Sequence, residues 1–444
     1  MNEIFNEFTQ PAFDCIGEYD CREACFMRAF SGVTADGFEA YAAALEKEGF
    51  SAVQKRSLEN NLFAAFVGAV QVNLLFTPCD GILRVTASKK NQLPVLECKK
   101  PECRRTENGK TVFYGFESDQ TLIDCGMCLL VQCPDSSFFV VDSGHYFQMN
   151  DNDRIHKFMR ERTPEGEKIV VNGWFITHAH TDHIAKLIDF LKYNCDDVVI
   201  EGFYQNLICA DYPTDSDNYE EPQMAQKLFD IFDKTDIPVY KLHTGMRFYI
   251  RNLTFDVLCT HEDIFPGHID DYNDSSCVLM MEAEGSKVFI PGDAAVKSSN
   301  VLENRYSAKT LKCDVCQVAH HGHTGLGRHC YELLSPDAAV FPVTRIFYEA
   351  ELSRHEANRF VVDNASQVFV TGDGTAVFEL PYKPGAAFAL PDETFEDFEK
   401  IKRLWKYEYS EERKKELYDL FLANGGSAEK LLLPTSPRGW IEPK

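Results

Sequence analysis

The stretch Phe175-Ile-Thr-His-Ala-His-Thr-Asp-His183 places three histidines and an aspartate within six residues, between an apolar run and an amphipathic one. On an extended backbone His178 and His180 point to the same side. Asp182 and His183 follow where the chain turns into a helix carrying Ile184, Leu187, Ile188 and Leu191 on one face. Such a turn presents four ligand-capable side chains to one small volume, and imidazole with carboxylate suits zinc, iron or manganese. A polar loop that happens to contain histidines is the plainer alternative. Only 13 histidines occur in 444 residues, so three in six positions is a concentrated placement.

Working outward, other strand-like runs end in similar residues. Phe138-Phe-Val-Val-Asp-Ser-Gly144 ends in Asp142, and Lys287-Val-Phe-Ile290 runs into Pro291-Gly-Asp293. Cys316-Gln-Val-Ala-His-His-Gly322 supplies His320 and His321. His355 stands in Ser353-Arg-His-Glu356, which fits a capping box opening a helix. Strand, helix, strand with both faces apolar is α/β layering.

The length exceeds one typical domain. Residues 1–118 read as an α+β accessory module, in which Thr34 opens a helix with Phe38, Tyr41, Ala42 and Leu45 on one face, followed by strand-like runs. Residues 119–390 read as the catalytic domain. Residues 391–444 read as a charged helical extension, and either end module offers a surface for homo-oligomer contacts. The acidic, turn-rich segment 210–221 reads as a loop or lid.

A formal net charge of −24 argues against a chain that grips phosphate backbones non-specifically, so nucleic acid is not an expected partner and a small molecule is. The N-terminus lacks the basic and apolar regions of a signal peptide, and no apolar run reaches the roughly 18 residues of a membrane span. The expectation is a cytoplasmic protein without a membrane segment. Its 16 cysteines then read as reduced thiols. The pairs Cys125/Cys128 and Cys313/Cys316 read as core residues, while Cys15, Cys21 and Cys25 stay undecided.

The motif His178-Ala-His-Thr-Asp-His183 matches the His-x-His-x-Asp-His of the metallo-β-lactamase fold. Together with Asp142-Ser-Gly144, Asn273-Asp-Ser-Ser-Cys-Val-Leu279, Pro291-Gly-Asp293, His320-His-Gly322 and the later His355, it most resembles the hydrolase domain of ComEC-type competence proteins and phosphorylcholine esterases. The resemblance spans roughly residues 120–381. It implies a four-layer αβ/βα sandwich with two divalent metal ions, zinc first and manganese or iron as alternatives. Under it, His178, His180, Asp182, His183, Asp293, His321 and His355 are metal ligands, with Asp293 bridging. Asp182, Asp293 and His320 take part in catalysis, where a hydroxide shared by the metals attacks a phosphoester or phosphodiester. Thioester, lactone or amide hydrolysis and a non-catalytic scaffold are the other readings. Two departures from the wider fold stand out: Ile184-Ala185 replaces the usual glycine pair, and the separate ligand histidine that many relatives carry between the signature and Gly-Asp is lacking, Asn273 occupying the place where ComEC-like sequences carry asparagine.

Overall fold

The computed structural model describes residues 3–391 apart from 23, 90–93, 97, 107–108, 120–122, 124, 149, 211 and 213–219. The expected C-terminal helices lie outside the described residues, as does most of the segment 210–221.

Among the described residues the strands form three sheets. The first is antiparallel, in the order Asp14–Asp20, Cys25–Ser31, Ile82–Lys89, Val70–Thr77, Asn61–Val67, Ser51–Leu58. The helix Ala35–Lys47 covers one face of it and buries Phe38, Tyr41, Ala42 and Leu45. Thr34 caps that helix by accepting the Gly37 N–H at 3.2 Å. The two N-terminal strands of this sheet were not legible in the sequence. Asp14–Asp20 is largely exposed along its length and so carries no apolar alternation to read.

The second sheet runs Val239–Lys241, Phe203–Gln205, Ile169–Ile176, Phe138–Asp142, Cys128–Gln132, Thr111–Gly115, Ala376–Leu380 and Phe388–Ala389, with Val198–Ile200 also paired to Ile169–Ile176. The third runs Arg247–Ile250, Leu253–Cys259, Val278–Ala283, Ser286–Ile290, Val315–Gln317, Ala338–Phe341 and Gln367–Val370. Thr111–Gly115, which precedes residue 118, therefore pairs within the second sheet. The strand is buried along its whole length, pairing with Cys128–Gln132 and Ala376–Leu380.

These two sheets face one another, and strand alternation decides which core each residue enters. Phe139, Val141, Phe175, Leu279, Met281, Val288 and Ile290 fill the space between the sheets. Phe138, Val140, Trp174 and Ile176 point outward, beneath the helices Asp151–Arg160, Thr181–Tyr193 and Glu220–Phe232. On the far side Val278, Met280 and Phe289 meet an outer layer of helices that includes Val296–Arg305, Arg328–Leu334 and Glu356–Asn364. Helix, sheet, sheet, helix is the four-layer arrangement that the sequence led us to expect. A register shift between Val171 and Gly173 flips the parity of the strand that feeds the histidine motif. Ile169 and Val171 face the helices before the shift, and Trp174 and Ile176 after it.

Within each sheet the relevant strands are parallel: Phe138–Asp142 with Ile169–Ile176, and Ser286–Ile290 with Val315–Gln317. Their carboxyl ends therefore lie on one side of each sheet, the usual place for a site in a parallel arrangement. No helix among the described residues is long and apolar enough to cross a membrane.

Candidate metal centre

Four histidines from those strand ends each have one ring nitrogen held from outside and the other turned inward. His321 Nδ1 lies 2.8 Å from the Pro342 carbonyl oxygen. A carbonyl only accepts, so Nδ1 carries a hydrogen and Nε2 is the nitrogen turned toward the centre. His183 Nδ1 donates in the same way to Asp142 Oδ2 at 2.7 Å. The Thr177 hydroxyl donates to that carboxylate at 2.7 Å, which leaves its oxygen to accept from His178 Nδ1 at 3.0 Å. His180 is turned the other way: its Nε2 pairs with Asp271 at 3.3 Å, so Nδ1 faces inward. Outer partners of this kind fix the tautomer and orientation of metal-binding imidazoles.

The inward nitrogens meet in pairs. His178 Nε2 and His180 Nδ1 are 3.0 Å apart, and His183 Nε2 and His321 Nε2 are 3.2 Å apart. Ring nitrogens facing at this distance repel, whether as two lone pairs or as two N–H groups, unless a shared proton or a metal ion lies between them. Two ligands at about 2.0–2.1 Å from a tetrahedral metal stand about 3.3 Å from each other, close to these separations. Asp293 joins the pairs. Its Oδ2 is 3.1 Å from His183 Nε2, 3.2 Å from His321 Nε2 and 3.9 Å from His178 Nε2. Its Oδ1 is buried without a hydrogen-bond partner. Asp182 Oδ2 completes one group at 3.0 Å from His321 Nε2. The ligand-capable atoms thus form two groups, Asp182–His183–Asp293–His321 and His178–His180–Asp293, which share one carboxylate.

The electrostatics make the same demand for positive charge. Burial alone would depress His321, but the carboxylates of Asp293 and Asp182 outweigh it and lift the imidazole to about 10. His183 is likewise raised well above its ordinary value, against its burial, by Asp293, Asp182 and Asp142. Burial pushes Asp293 up, yet the charges of His183 and His321 hold it well below the usual carboxylate range. Protons or metal ions must supply that charge, and the donor set fits divalent metals.

Backbone features hold the centre in shape. Gly292 has φ +58°, and a Cβ there would stand 2.7 Å from the Thr177 Cβ. Only glycine lets Asp293 approach the histidine strand so closely. His320 and His321 both adopt left-handed backbone angles, of φ 52° and 56°. Such strain is stored at functional sites when the surroundings enforce it. Here Gln317 donates to the Gly292 carbonyl, and Asn358 donates to the Gly322 carbonyl.

The fold is a four-layer sandwich of helices, two facing sheets and helices. No family model and no curated protein matches the chain. Among solved structures it is similar to the metallo-β-lactamase fold protein YhfI from Bacillus subtilis, at 11% identity and a TM-score of 0.37, covering 62% of this chain and 99% of that one. It is similar to yeast PDE1 at 10% identity and a TM-score of 0.37, covering 59% and 97%. The short form of human tRNase Z gives 11% identity and a TM-score of 0.29, covering 52% and 91%. At these values the likeness supplies no residue correspondence. The reading of the site stands on its own geometry.

The sandwich gathers His178, His180, Asp182, His183, Asp293 and His321 into one centre. His355 is not brought there. Its Nε2 lies 2.9 Å from Glu351 Oε2, an oxygen that His323 Nε2 approaches at 3.6 Å. The helix Arg345–Leu352 places Glu351 one turn before His355 and captures the ring. His320 sits at the rim, with Nδ1 3.2 Å from the Thr324 carbonyl and Nε2 3.3 Å from the Asn273 amide. Sequence reasoning assigned no role to Thr177 or Asp271. Their only signal was proximity to the motif and to the acidic run at 270–274.

Proposed function

We propose that the protein is a hydrolase working with two divalent metal ions, and that it acts on a phosphoester or phosphodiester. The observation that carries the reading is Asp293, whose single carboxylate serves both ligand groups at once. His183, His321, Asp182 and Asp293 would hold one ion, and His178, His180 and Asp293 the other. When bound, such ions lower the pKa of water and neutralise charge on a scissile oxygen.

The chain's own residues supply the rest. Asp142 and Asp271 keep His183 and His180 oriented while ions enter and leave. Asn273 stands at the rim beside His320, and the His178–His180 group, with one shared carboxylate, would leave a coordination position for substrate. His320 has its Nδ1 hydrogen tied to the Thr324 carbonyl, so Nε2 is the nitrogen turned toward the Asn273 amide. That nitrogen accepts from the Asn273 amide, so the held ring would orient substrate at the rim of the site. The ComEC-like motifs favour the phosphoester over other acyl or lactone substrates.

The test is metal analysis of purified protein, followed by a panel of phosphodiester, phosphomonoester and thioester substrates with His180→Ala and Asp293→Ala as controls. Phosphodiester turnover lost in both variants is expected. Thioester turnover alone would replace the substrate half of the proposal, and a protein that takes up no metal would end it.

A further inference from the structure

A second cluster lies apart from the metal centre, where the N-terminal sheet meets the sandwich. Cys21 stands at the turn between the strands Asp14–Asp20 and Cys25–Ser31. His261 and Glu262 open the single turn His261–Asp263 that follows the strand Leu253–Cys259. One ligand-capable atom of each residue lies within 4.8 Å of the other two. The three are 1%, 1% and 4% exposed.

The surroundings are rigid. Arg84 donates to the carbonyls of Glu262, Asp263 and Phe265, and the Tyr19 ring stacks on Phe265 at 4.3 Å. His243 Nδ1 lies 2.8 Å from Glu262 and the Asn206 amide 3.1 Å from it, which fixes the carboxylate. Within this setting His261 Nδ1 is buried with no hydrogen-bond partner. Natural folds keep few buried polar atoms without a partner.

We propose that Cys21, His261 and Glu262 form a structural site for a divalent ion of zinc-like softness, which staples the N-terminal hairpin to the sandwich. Thiolate with imidazole and carboxylate selects such ions over magnesium or calcium. Binding forms a metal–sulfur bond and releases the thiol proton to solvent. With Nδ1 as the ligand atom, binding would give the orphaned imidazole nitrogen a partner, and it compensates a thiolate that burial alone would forbid. The fourth position falls to solvent or to Cys25 on the same hairpin. This site is independent of the proposed hydrolase, whose ligands are nitrogen and oxygen only.

Metal-free Asp293→Ala protein, whose catalytic centre is disabled, is titrated with cobalt(II). The expected result is a thiolate-to-cobalt charge-transfer absorption in the near ultraviolet that saturates at one ion. It disappears when Cys21→Ser is added, with the fold checked by circular dichroism. Should that variant not fold, Glu262→Gln must shift or weaken the band. Absence of the band at cobalt saturation, a band undiminished by Cys21→Ser, or one unmoved by Glu262→Gln overturns the proposal.

Discussion

Asp142 Oδ2 lies 2.7 Å from His183 Nδ1, and the same carboxylate takes the Thr177 N–H at 2.8 Å and the Thr177 hydroxyl at 2.7 Å. One buried aspartate thus orients one imidazole directly and, through Thr177, a second. Asp142→Asn preserves the shape but offers one acceptor oxygen where three donors converge. Loss of such an outer partner costs about 10–100-fold in metal affinity. Competition against a chromogenic chelator measures it, and unchanged affinity would mean that Asp142 does not position these rings.

Gly292→Ala tests the close approach of the two strand ends. The added methyl meets Thr177 at a φ of +58°, where a side chain is already strained. The expected loss is about 1–3 kcal/mol of stability, with metal content falling because Asp293 and Thr177 are both displaced. Denaturant unfolding and elemental analysis read the two effects. A variant as stable and as metal-rich as the parent would contradict the packing.

Metal binding should release protons. His183 and His321 are held protonated in the metal-free fold by the carboxylates around them, His321 up to about 10. A folded-state pKa above the unfolded one stabilises fully below the unfolded value of about 6.5 and is lost as pH rises through the folded value. The metal-free protein should therefore lose stability as pH climbs from about 6.5 toward 10, while the loaded protein loses less. Thermal melts of both forms across that window check the sign. Calorimetry in buffers of different ionisation enthalpy counts the protons released.

The junction of the N-terminal sheet with the sandwich carries its own ion pair. Asp256 accepts from Arg56 at 2.6 Å and from Arg247 at 2.7 Å and 2.6 Å. Burial pushes its carboxyl up, but the Arg247 hydrogen bond and the Arg56 charge outweigh that and leave it below the ordinary range. Its contribution is present above the unfolded pKa of about 3.9 and is lost as pH falls through the depressed value. Asp256→Asn should cost about 1–3 kcal/mol at neutral pH and leave metal content alone. Urea unfolding at neutral and acidic pH tests it, since the difference between parent and variant must shrink in acid.

Much of the centre was legible because its ligands sit in short motifs at strand ends. His178 through His183 announce themselves by spacing, and Asp293 by the Gly-Asp that follows an apolar strand. What spacing does not carry is the partner behind each ligand. Asp271 holds His180 from a loop, and the Pro342 carbonyl holds His321 from a strand end in the third sheet. His355 misled because a histidine before a helix looks the same whether it faces a metal or Glu351. The strands Asp14–Asp20 and Thr111–Gly115 failed for opposite reasons. The first is too exposed to alternate, and the second is buried on both faces and only five residues long.

Under the proposed function Asp293 would join two ions. The most direct measurement is electron paramagnetic resonance of the manganese(II)-loaded protein, parent against Asp293→Ala. A spin-coupled pair is expected in the parent, and uncoupled or missing ions in the variant. A spectrum of isolated manganese in the fully loaded parent would contradict it.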